Sequence, residues 1–181
     1  MTKLLSRARP LLLGLPLLFL APGCQEMDGP PGYGSGYKAA EITGTDVLTG
    51  APIKLSEFQT KGTVVLLDFW ATWCPPCVAA IPHERELARR FDGRPFVIIG
   101  ISKDSEKQEL VDFLNREKLL WANMMDTNGT ISSQWGVNSI PTFILIDANG
   151  VIVKRWVGAG EMSQIRSAIE EAVQAAEKRG G

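Results

Sequence analysis

A pair of cysteines ends the sequence stretch Asp68-Phe69-Trp70-Ala71-Thr72-Trp73-Cys74-Pro75-Pro76-Cys77. The run from Thr63 to Phe69 is apolar apart from its polar first residue and Asp68, and it predicts a strand buried on both faces. The segment from Pro75 to about Phe91 predicts a helix. The two cysteines therefore lie where a buried strand ends and a helix begins.

This position suits a dithiol that cycles between reduced and oxidised forms. The helix dipole and the free amide donors at a helix N-terminus stabilise a thiolate, so a lowered pKa and the role of attacking nucleophile are predicted for Cys74. Cys77 lies one turn further along the same helix face, where the helix shields it, and is assigned the resolving role. Pro75 and Pro76 have no N–H to donate, which limits the lowering of the Cys74 pKa.

Two other uses of a C-x-x-C pair are a structural disulfide and half of a zinc site. A disulfide that closes so short a loop constrains little of the unfolded chain. Zinc would need further ligands, but the sequence has no second C-x-x-C or C-x-x-H, and its one histidine, His83, is predicted on the same helix. Redox chemistry at Cys74 and Cys77 without a metal ion is therefore the favoured hypothesis.

Strands and helices alternate along the chain from Ala40 onward. The segment 147–150 contains an Asn-Gly step, a strong hairpin signal, so the strands on either side of it are predicted to pair antiparallel. The pattern predicts an α/β fold with helices around a central mixed sheet. The further predicted strands are 53–58 (leading into a helical turn), 96–101, 122–125, 142–146 and 151–157, and the further predicted helices are 105–118, 132–135 and 162–177.

The cysteine stretch, followed by Pro82 within the helix, resembles the thioredoxin superfamily. The segments Gly136-Val137-Asn138-Ser139-Ile140-Pro141-Thr142 and Ile146-Asp147-Ala148-Asn149-Gly150 are similar to those of its TlpA/ResA-like branch of membrane-anchored extracytoplasmic thiol-disulfide oxidoreductases. The resemblance covers residues 40–175. It implies a thioredoxin-like fold, a central mixed sheet flanked by helices with an N-terminal β extension, and an enzyme that needs no cofactor.

The resemblance also implies how a substrate binds. Pro141 is expected to form a cis peptide bond and to face the cysteine pair, and the backbone of Ile140 is expected to pair with an extended substrate segment. Trp73, Pro75 and Pro76 frame the dithiol and are assigned to the substrate-binding surface. Without the resemblance, Pro141 would be interpreted as the start of a strand.

Asp68 places a carboxyl group in an apolar strand. Desolvation there predicts a raised pKa, whereas a solvated strand end is the alternative. Thioredoxin has at the matching position an aspartate that relays protons to the buried cysteine, and the TlpA/ResA pattern has glutamate three residues after the second cysteine, where this chain has Ala80. Asp68 is therefore assigned as the general base that deprotonates Cys77, in part replacing that glutamate. His83 and Glu84 are assigned to the solvent-facing side of the helix.

The N-terminus resembles the signal sequence of a bacterial lipoprotein. Basic residues precede the apolar run 11–20, which is shorter than the roughly twenty apolar residues of a bilayer span. Cys24 follows small residues, as in a lipobox, and is predicted to be acylated; ordinary secretion with a free thiol is the alternative. The predicted divisions are a signal peptide over 1–23, a flexible tether over 24–39 and a thioredoxin-like domain over 40–178.

Charge and resemblance together define the leading functional hypothesis. Nineteen Lys and Arg oppose twenty Asp and Glu, with no basic cluster beyond the first ten residues, which excludes nucleic acid as a partner. The resemblance implies an enzyme, lipid-anchored at the periplasmic face of a membrane, that reduces exported proteins, apocytochrome c among them, with electrons from a membrane thiol donor.

Three alternatives to this hypothesis remain open at the level of sequence. The first is a disulfide oxidase or isomerase, because the direction of electron flow depends on the reduction potential. The second is a non-enzymatic redox-sensing module. The third is a peroxiredoxin-like peroxidase, which is disfavoured because Ala71 stands where that class has threonine, three residues before the attacking cysteine.

Overall fold

The computed structural model describes residues 33–180. The predicted signal peptide and the predicted lipidation site Cys24 lie outside the described residues. None of the helices within that range has the length and apolar sequence that a bilayer span requires. The elements in chain order are β1 (Thr43–Thr45), β2 (Pro52–Lys54), α1 (Leu55–Thr60), β3 (Val64–Trp70), α2 (Pro75–Arg90), β4 (Phe96–Ser102), α3 (Lys107–Glu117), β5 (Ala122–Met125), α4 (Thr130–Gln134), β6 (Thr142–Ile146), β7 (Ile152–Val157) and α5 (Met162–Gly180).

The predicted elements are confirmed, with ends that differ from the predicted ones by a few residues. The segment 53–58 contains the predicted strand that leads into a helical turn: β2 ends at Lys54 and α1 begins at Leu55. Ile53 and Leu55 are both buried, so the strand-to-helix change occurs while the chain keeps its apolar side chains in the core. The strand predicted over 122–125 is β5, and it lies at one edge of the main sheet.

The main sheet is mixed and has β3 at its centre. Its strand order is β5-β4-β3-β6-β7, and β1 and β2 form a separate antiparallel pair. β3, β4 and β5 run parallel, while β6 is antiparallel to β3 and β7 is antiparallel to β6. This is the thioredoxin-like α/β architecture, including the N-terminal β extension, that the resemblance implied.

Alternate residues of β3 face two different layers of the fold. Leu66 belongs to an apolar cluster with residues of α2 and α5, and Trp70 to one with residues of α2 and α3. Leu67 and Phe69 pack with Ile42, which precedes β1, and with residues of β2, α1 and the segment around α4. Because Asp68 lies between Leu66 and Trp70, its side chain is on the α2 side of the sheet.

The predicted antiparallel pairing of the last two strands is confirmed. Gly150 has φ 76° and donates its N–H to the Asp147 carbonyl oxygen at 2.9 Å. Asp147 Oδ1 accepts the backbone N–H groups of Asn149 and Val151 at 2.8 and 2.9 Å. In the Asn-Gly step the positive φ falls at the glycine and not at Asn149, so the turn is not the two-residue type I′ form.

Residues 33–39, at the end of the predicted tether, lie against the domain. The Gly36 N–H donates to the Ile152 carbonyl and the Ile152 N–H donates to the Tyr37 carbonyl, each at 2.8 Å. The Tyr33 ring lies 5.7 Å from the Trp135 ring, centroid to centroid. These contacts place residues 33–39 beside β7, on the α1 side of the sheet.

Trp70, at the end of β3, is held by a hydrogen-bonded asparagine. Its Nε1–H donates to Asn123 Oδ1 at 3.1 Å, and the Asn123 N–H donates to Asp46 Oδ1 at 3.0 Å. Gly100 lies directly under this contact: a Cβ there would overlap Asn123 Oδ1 and lie 3.0 Å from Trp70 Nε1. The absence of a Cβ at Gly100 therefore leaves space for the Asn123 side chain, which holds Trp70 in place.

Replacing Gly100 by alanine tests this contact. Gly100→Ala is expected to lower the free energy of unfolding by about 1–3 kcal/mol, because the added methyl group has no free space in a closely packed core. Urea unfolding followed by tryptophan fluorescence measures the loss. Gly160→Ala is the control, since a Cβ at Gly160 meets no atom within 4 Å. Equal stability of the two variants would show that the Trp70–Asn123 contact tolerates displacement.

Candidate active site

Cys74 and Cys77 form a disulfide at the first turn of α2. Their sulfurs are 2.03 Å apart, and the exposed fractions of the two residues are 4% and 2%. Cys74 is the N-cap of α2, and its Sγ accepts the Cys77 N–H at 3.3 Å. Pro75 and Pro76 occupy the first two helical positions, so the Cys77 amide is the first of the helix that can donate to this sulfur. The predicted location of the pair, where a buried strand ends and a helix begins, is confirmed.

The loop between β3 and Cys74 is anchored by a buried carboxylate, Asp104. Asp104 accepts hydrogen bonds from the Thr72 N–H at 3.1 Å and from the Thr72 hydroxyl at 2.6 Å. The Ser102 hydroxyl donates to Asp104 Oδ2 at 2.6 Å. Sequence reasoning missed Asp104 because its partner is 32 residues away and comes within reach only when Trp70 and Ser102 pair across β3 and β4.

The surface around the disulfide is apolar and exposed. Trp73 is 61% exposed, and Pro75 and Pro76 are exposed beside it. Ile140 is half-buried and packs against the cluster that contains both cysteines, and the Ile140–Pro141 peptide bond is cis, the conformation that the resemblance implies. The structure therefore brings Ile140 to the dithiol from a segment more than sixty residues later in the chain.

Asp68 is a buried acid without a donor at one of its oxygens. Its exposed fraction is 3%, and among the described residues Asp68 Oδ1 has no hydrogen-bond partner. Burial raises the pKa of Asp68 to about 8. The predicted rise of the pKa is confirmed, and the alternative of a solvated strand end is wrong.

The prediction that Glu84 faces solvent is wrong. Glu84 was assigned to the solvent-facing side of the helix with His83, but it is 1% exposed while His83 is exposed. Glu84 lies on the inward stripe of α2 together with Cys77 and Ala80. Burial, and after it the charge of Asp68, raises the pKa of Glu84 well above its ordinary value. The helical spacing from Cys77 was the signal that should have placed this residue inside.

The fold and the disulfide at the start of α2 define a thiol-disulfide oxidoreductase with a thioredoxin-like fold. The chain belongs to the Redoxin family, whose model matches residues 35–172. Over 136 residues it is 30% identical to the thiol-disulfide oxidoreductase ResA of Bacillus thuringiensis strain Al Hakam, covering 75% of this chain and 77% of that protein.

Two further comparisons agree with this class. The chain is 27% identical over 175 residues to the sporulation thiol-disulfide oxidoreductase A of Bacillus subtilis strain 168, covering 94% of this chain and 99% of that one. Among solved structures it is similar to a protein of Chlorobium tepidum assigned as the thiol:disulfide interchange protein DsbE. That match has a TM-score of 0.68 and 28% identity, and it covers 78% of this chain and 96% of the other.

The raised pKa of Asp68 predicts a stability that falls with rising pH. The folded state keeps the Asp68 proton up to about pH 8, whereas the unfolded chain releases it near 3.8, so the stability that Asp68 contributes is fully present below pH 3.8 and is lost as the pH rises toward 8. Asp68→Asn cannot ionise, so its melting temperature should match the wild type near pH 4 and exceed it increasingly up to about pH 8. Asp92→Asn, on the surface, is the control, and a pH-independent difference for Asp68→Asn would contradict the burial argument.

Proposed function

We propose that this protein reduces disulfide bonds of exported proteins at the extracytoplasmic face of a membrane. The position of Cys74 carries the proposal: its sulfur caps α2, accepts the Cys77 N–H, and adjoins the exposed Trp73 and Pro75. A thiolate formed at this sulfur keeps the amide as a hydrogen-bond donor and gains from the helix dipole. The similarity to proteins named thiol-disulfide oxidoreductases supports the same chemistry.

The reaction consists of two thiol-disulfide exchanges. The Cys74 thiolate attacks one sulfur of the substrate disulfide, which forms a mixed disulfide and releases the other substrate sulfur as a thiolate. The Cys77 thiolate then attacks Cys74 Sγ, which breaks the bond to the substrate and forms the Cys74–Cys77 disulfide. The substrate gains two electrons and two protons, and a membrane thiol donor returns two electrons to the enzyme.

The apolar surface beside the disulfide is suited to an extended peptide. Within the described residues, the structure gives the Ile140 backbone no hydrogen-bond partner. An unpaired N–H and C=O next to a dithiol can pair with a substrate backbone as an added strand. Trp73, Pro75, Pro76 and Pro141 would then contact the side chains on either side of the substrate cysteine.

Asp68 is the base proposed for the second exchange. It lies between Leu66 and Trp70 on the α2 side of β3, and Trp70 shares an apolar cluster with Cys77. A carboxylate that has lost its water shell is a stronger base than one in solvent, so it can take the proton of the Cys77 thiol. The first exchange needs no such base, because the Cys74 thiolate is stabilised at the helix N-terminus.

The cellular setting of the proposal comes from the N-terminal sequence. A signal peptide over 1–23 and acylation of Cys24 would export the domain and hold it at the membrane, with the part of the predicted tether that precedes Tyr33 as the link. A membrane thiol donor and oxidised exported proteins, such as apocytochrome c, would both be within its reach there. Cleavage after Gly23 and a lipid on Cys24 are detectable by mass spectrometry of the membrane fraction.

The reduction potential of the Cys74–Cys77 couple tests the direction of electron flow. Equilibration of the protein with glutathione mixtures, followed by the fluorescence of Trp70 and Trp73, is expected to give a value below about −220 mV, as for a reductase. A value above about −180 mV would identify an oxidase or isomerase instead. Failure to turn over a general disulfide substrate would favour the redox-sensing module, and a Cys74→Ser variant is the control for background exchange.

The role of Asp68 predicts a selective loss of rate. In Asp68→Asn, release of the mixed disulfide should slow by on the order of 10²-fold, while the attack by Cys74 keeps its rate, because general-base catalysis operates in the second exchange. Rapid-quench kinetics with a labelled disulfide peptide separates the two steps.

The control in the rapid-quench experiment is Asp92→Asn. It makes the same chemical change at an exposed site and should leave both rates unaltered. Unchanged rates of both steps in Asp68→Asn would refute the role of Asp68, and an equal slowing of both steps would indicate a general disturbance of the site.

A further inference from the structure

A second buried carboxyl group lies on the same side of the sheet as Asp68. Glu84 is on the face of α2 that packs against β3, in line with Cys77 and Ala80. Ala80 belongs to the same apolar cluster as Leu66, which neighbours Asp68 on β3. The two acids therefore enter one apolar interface from opposite sides, Asp68 from the sheet and Glu84 from the helix.

The elements packed around this interface supply apolar groups. Among the described residues, the side chains that α3 and α5 bury are all apolar. The neighbours of Asp68 across the sheet are Gly100 on β4 and Phe143 on β6. Desolvation is consequently the leading contribution to the raised pKa of both Asp68 and Glu84.

The other titratable groups near the interface are already engaged or face away. Cys74 and Cys77 are joined in the disulfide. Asp104 is held by hydrogen bonds from Thr72 and Ser102. On α2, the residues that flank Glu84 are His83, which is exposed, and Arg85, whose Nη2–H donates to the Glu117 carbonyl oxygen at 2.6 Å.

We propose that Asp68 and Glu84 form one carboxyl pair that carries at most a single negative charge, in which Glu84 keeps its proton while Asp68 accepts and returns the proton of Cys77. Two charges in an apolar interface repel each other strongly, so ionisation of one acid suppresses that of the other. The titration then belongs to the pair rather than to either residue. The inference rests on the role proposed above for Asp68 and adds Glu84 as a neutral partner, whose ionisation the charge of Asp68 suppresses.

The pair takes part in the second exchange as follows. The Asp68 carboxylate accepts the proton of the Cys77 thiol, which leaves both acids protonated and the pair neutral. The Cys77 thiolate forms a bond to Cys74 Sγ, the bond from Cys74 to the substrate breaks, and the substrate sulfur leaves with the electron pair and takes a proton from water. When the membrane thiol donor reduces the Cys74–Cys77 disulfide again, Cys77 is released as a thiolate and Asp68 returns the proton to it. Glu84 lies seven residues from Cys77, about 10 Å along the helix, so it does not exchange the proton directly.

Removing the charge of Asp68 should shift the ionisation of Glu84 to lower pH. In Asp68→Asn the repulsion is gone, so Glu84 should ionise at a lower pH than in the wild type. The new charge then lies about 10 Å along the helix from Cys77 and opposes formation of its thiolate. Glu84 is thereby expected to impair release of the mixed disulfide only when Asp68 is absent.

Infrared titration of the oxidised protein tests the pair without an activity measurement, because the disulfide has no proton to exchange. The wild type should lose one protonated-carboxyl band near pH 8 and keep a second one at higher pH, and Glu84→Gln should abolish the second. In Asp68→Asn the Glu84 band should disappear at a lower pH than in the wild type. Titration of Glu84 at the same pH in both proteins would overturn the proposal. Glu86→Gln, exposed on the same helix, is the control.

A double-mutant cycle on the release step supplies the functional test. In the wild-type background Glu84→Gln should change the release rate by no more than about twofold, because glutamine there replaces a glutamate that is already neutral. In the Asp68→Asn background it should speed release by about threefold to tenfold at pH 8, because it removes the charge on Glu84. An equal effect in both backgrounds would overturn the coupling. A wild-type rate in Asp68→Asn alone would instead refute the role of Asp68, and the infrared titration would still decide whether the pair exists.

Discussion

Burial of β3 on both faces is the constraint on which the active site depends. All seven residues of this strand are buried, and complete burial of one large apolar side chain contributes about 1.5–3 kcal/mol, so the position of the strand is strongly determined. Because α2 begins at Pro75, shortly after β3 ends at Trp70, the end of the strand also determines where Cys74 lies. Hydrogen bonds from Thr72 to Asp104 and from Trp70 to Asn123 hold the connection, so the sulfurs are positioned by the sheet.

The same burial determines the acid–base behaviour of Asp68, which lies within this strand. Asp68 Oδ1 has no partner among the described residues, and every residue of β3 is buried, so the protonated form of the acid is favoured. The raised pKa of Asp68, about 8, makes its carboxylate a stronger base than an aspartate in solvent, as the proton transfer proposed from Cys77 requires. An aspartate in solvent, with its ordinary pKa of 3.8, would leave the thiol protonated.

Short-range patterns in the sequence predict much of the local structure correctly. The apolar run of β3 predicted a doubly covered strand, the placement of Asp68 within it predicted a buried acid, and the Asn-Gly step predicted the final hairpin. Contacts between distant segments do not follow from such patterns, because Asp104 and Asn123 reach Thr72 and Trp70 only across paired strands. The error at Glu84 has a different cause, because a charged residue was assigned to solvent by its type although its spacing from Cys77 put it on the inward face of α2.

The position of Glu84 on α2 rules out a direct exchange of protons with Cys77. A glutamate at position 80 would lie one helical turn from Cys77 and could exchange a proton with it directly, as the TlpA/ResA pattern suggests. Ala80 has no such group, and Glu84 is a further turn away, so Asp68, on the α2 side of β3, is the acid proposed to exchange a proton with the resolving cysteine. Glu84 still enters the same apolar interface, where a second charge is strongly disfavoured. Two acids therefore lie in the apolar interface between α2 and β3. In the proposed mechanism Asp68 exchanges a proton with Cys77, while Glu84 stays protonated because the interface holds at most one charge.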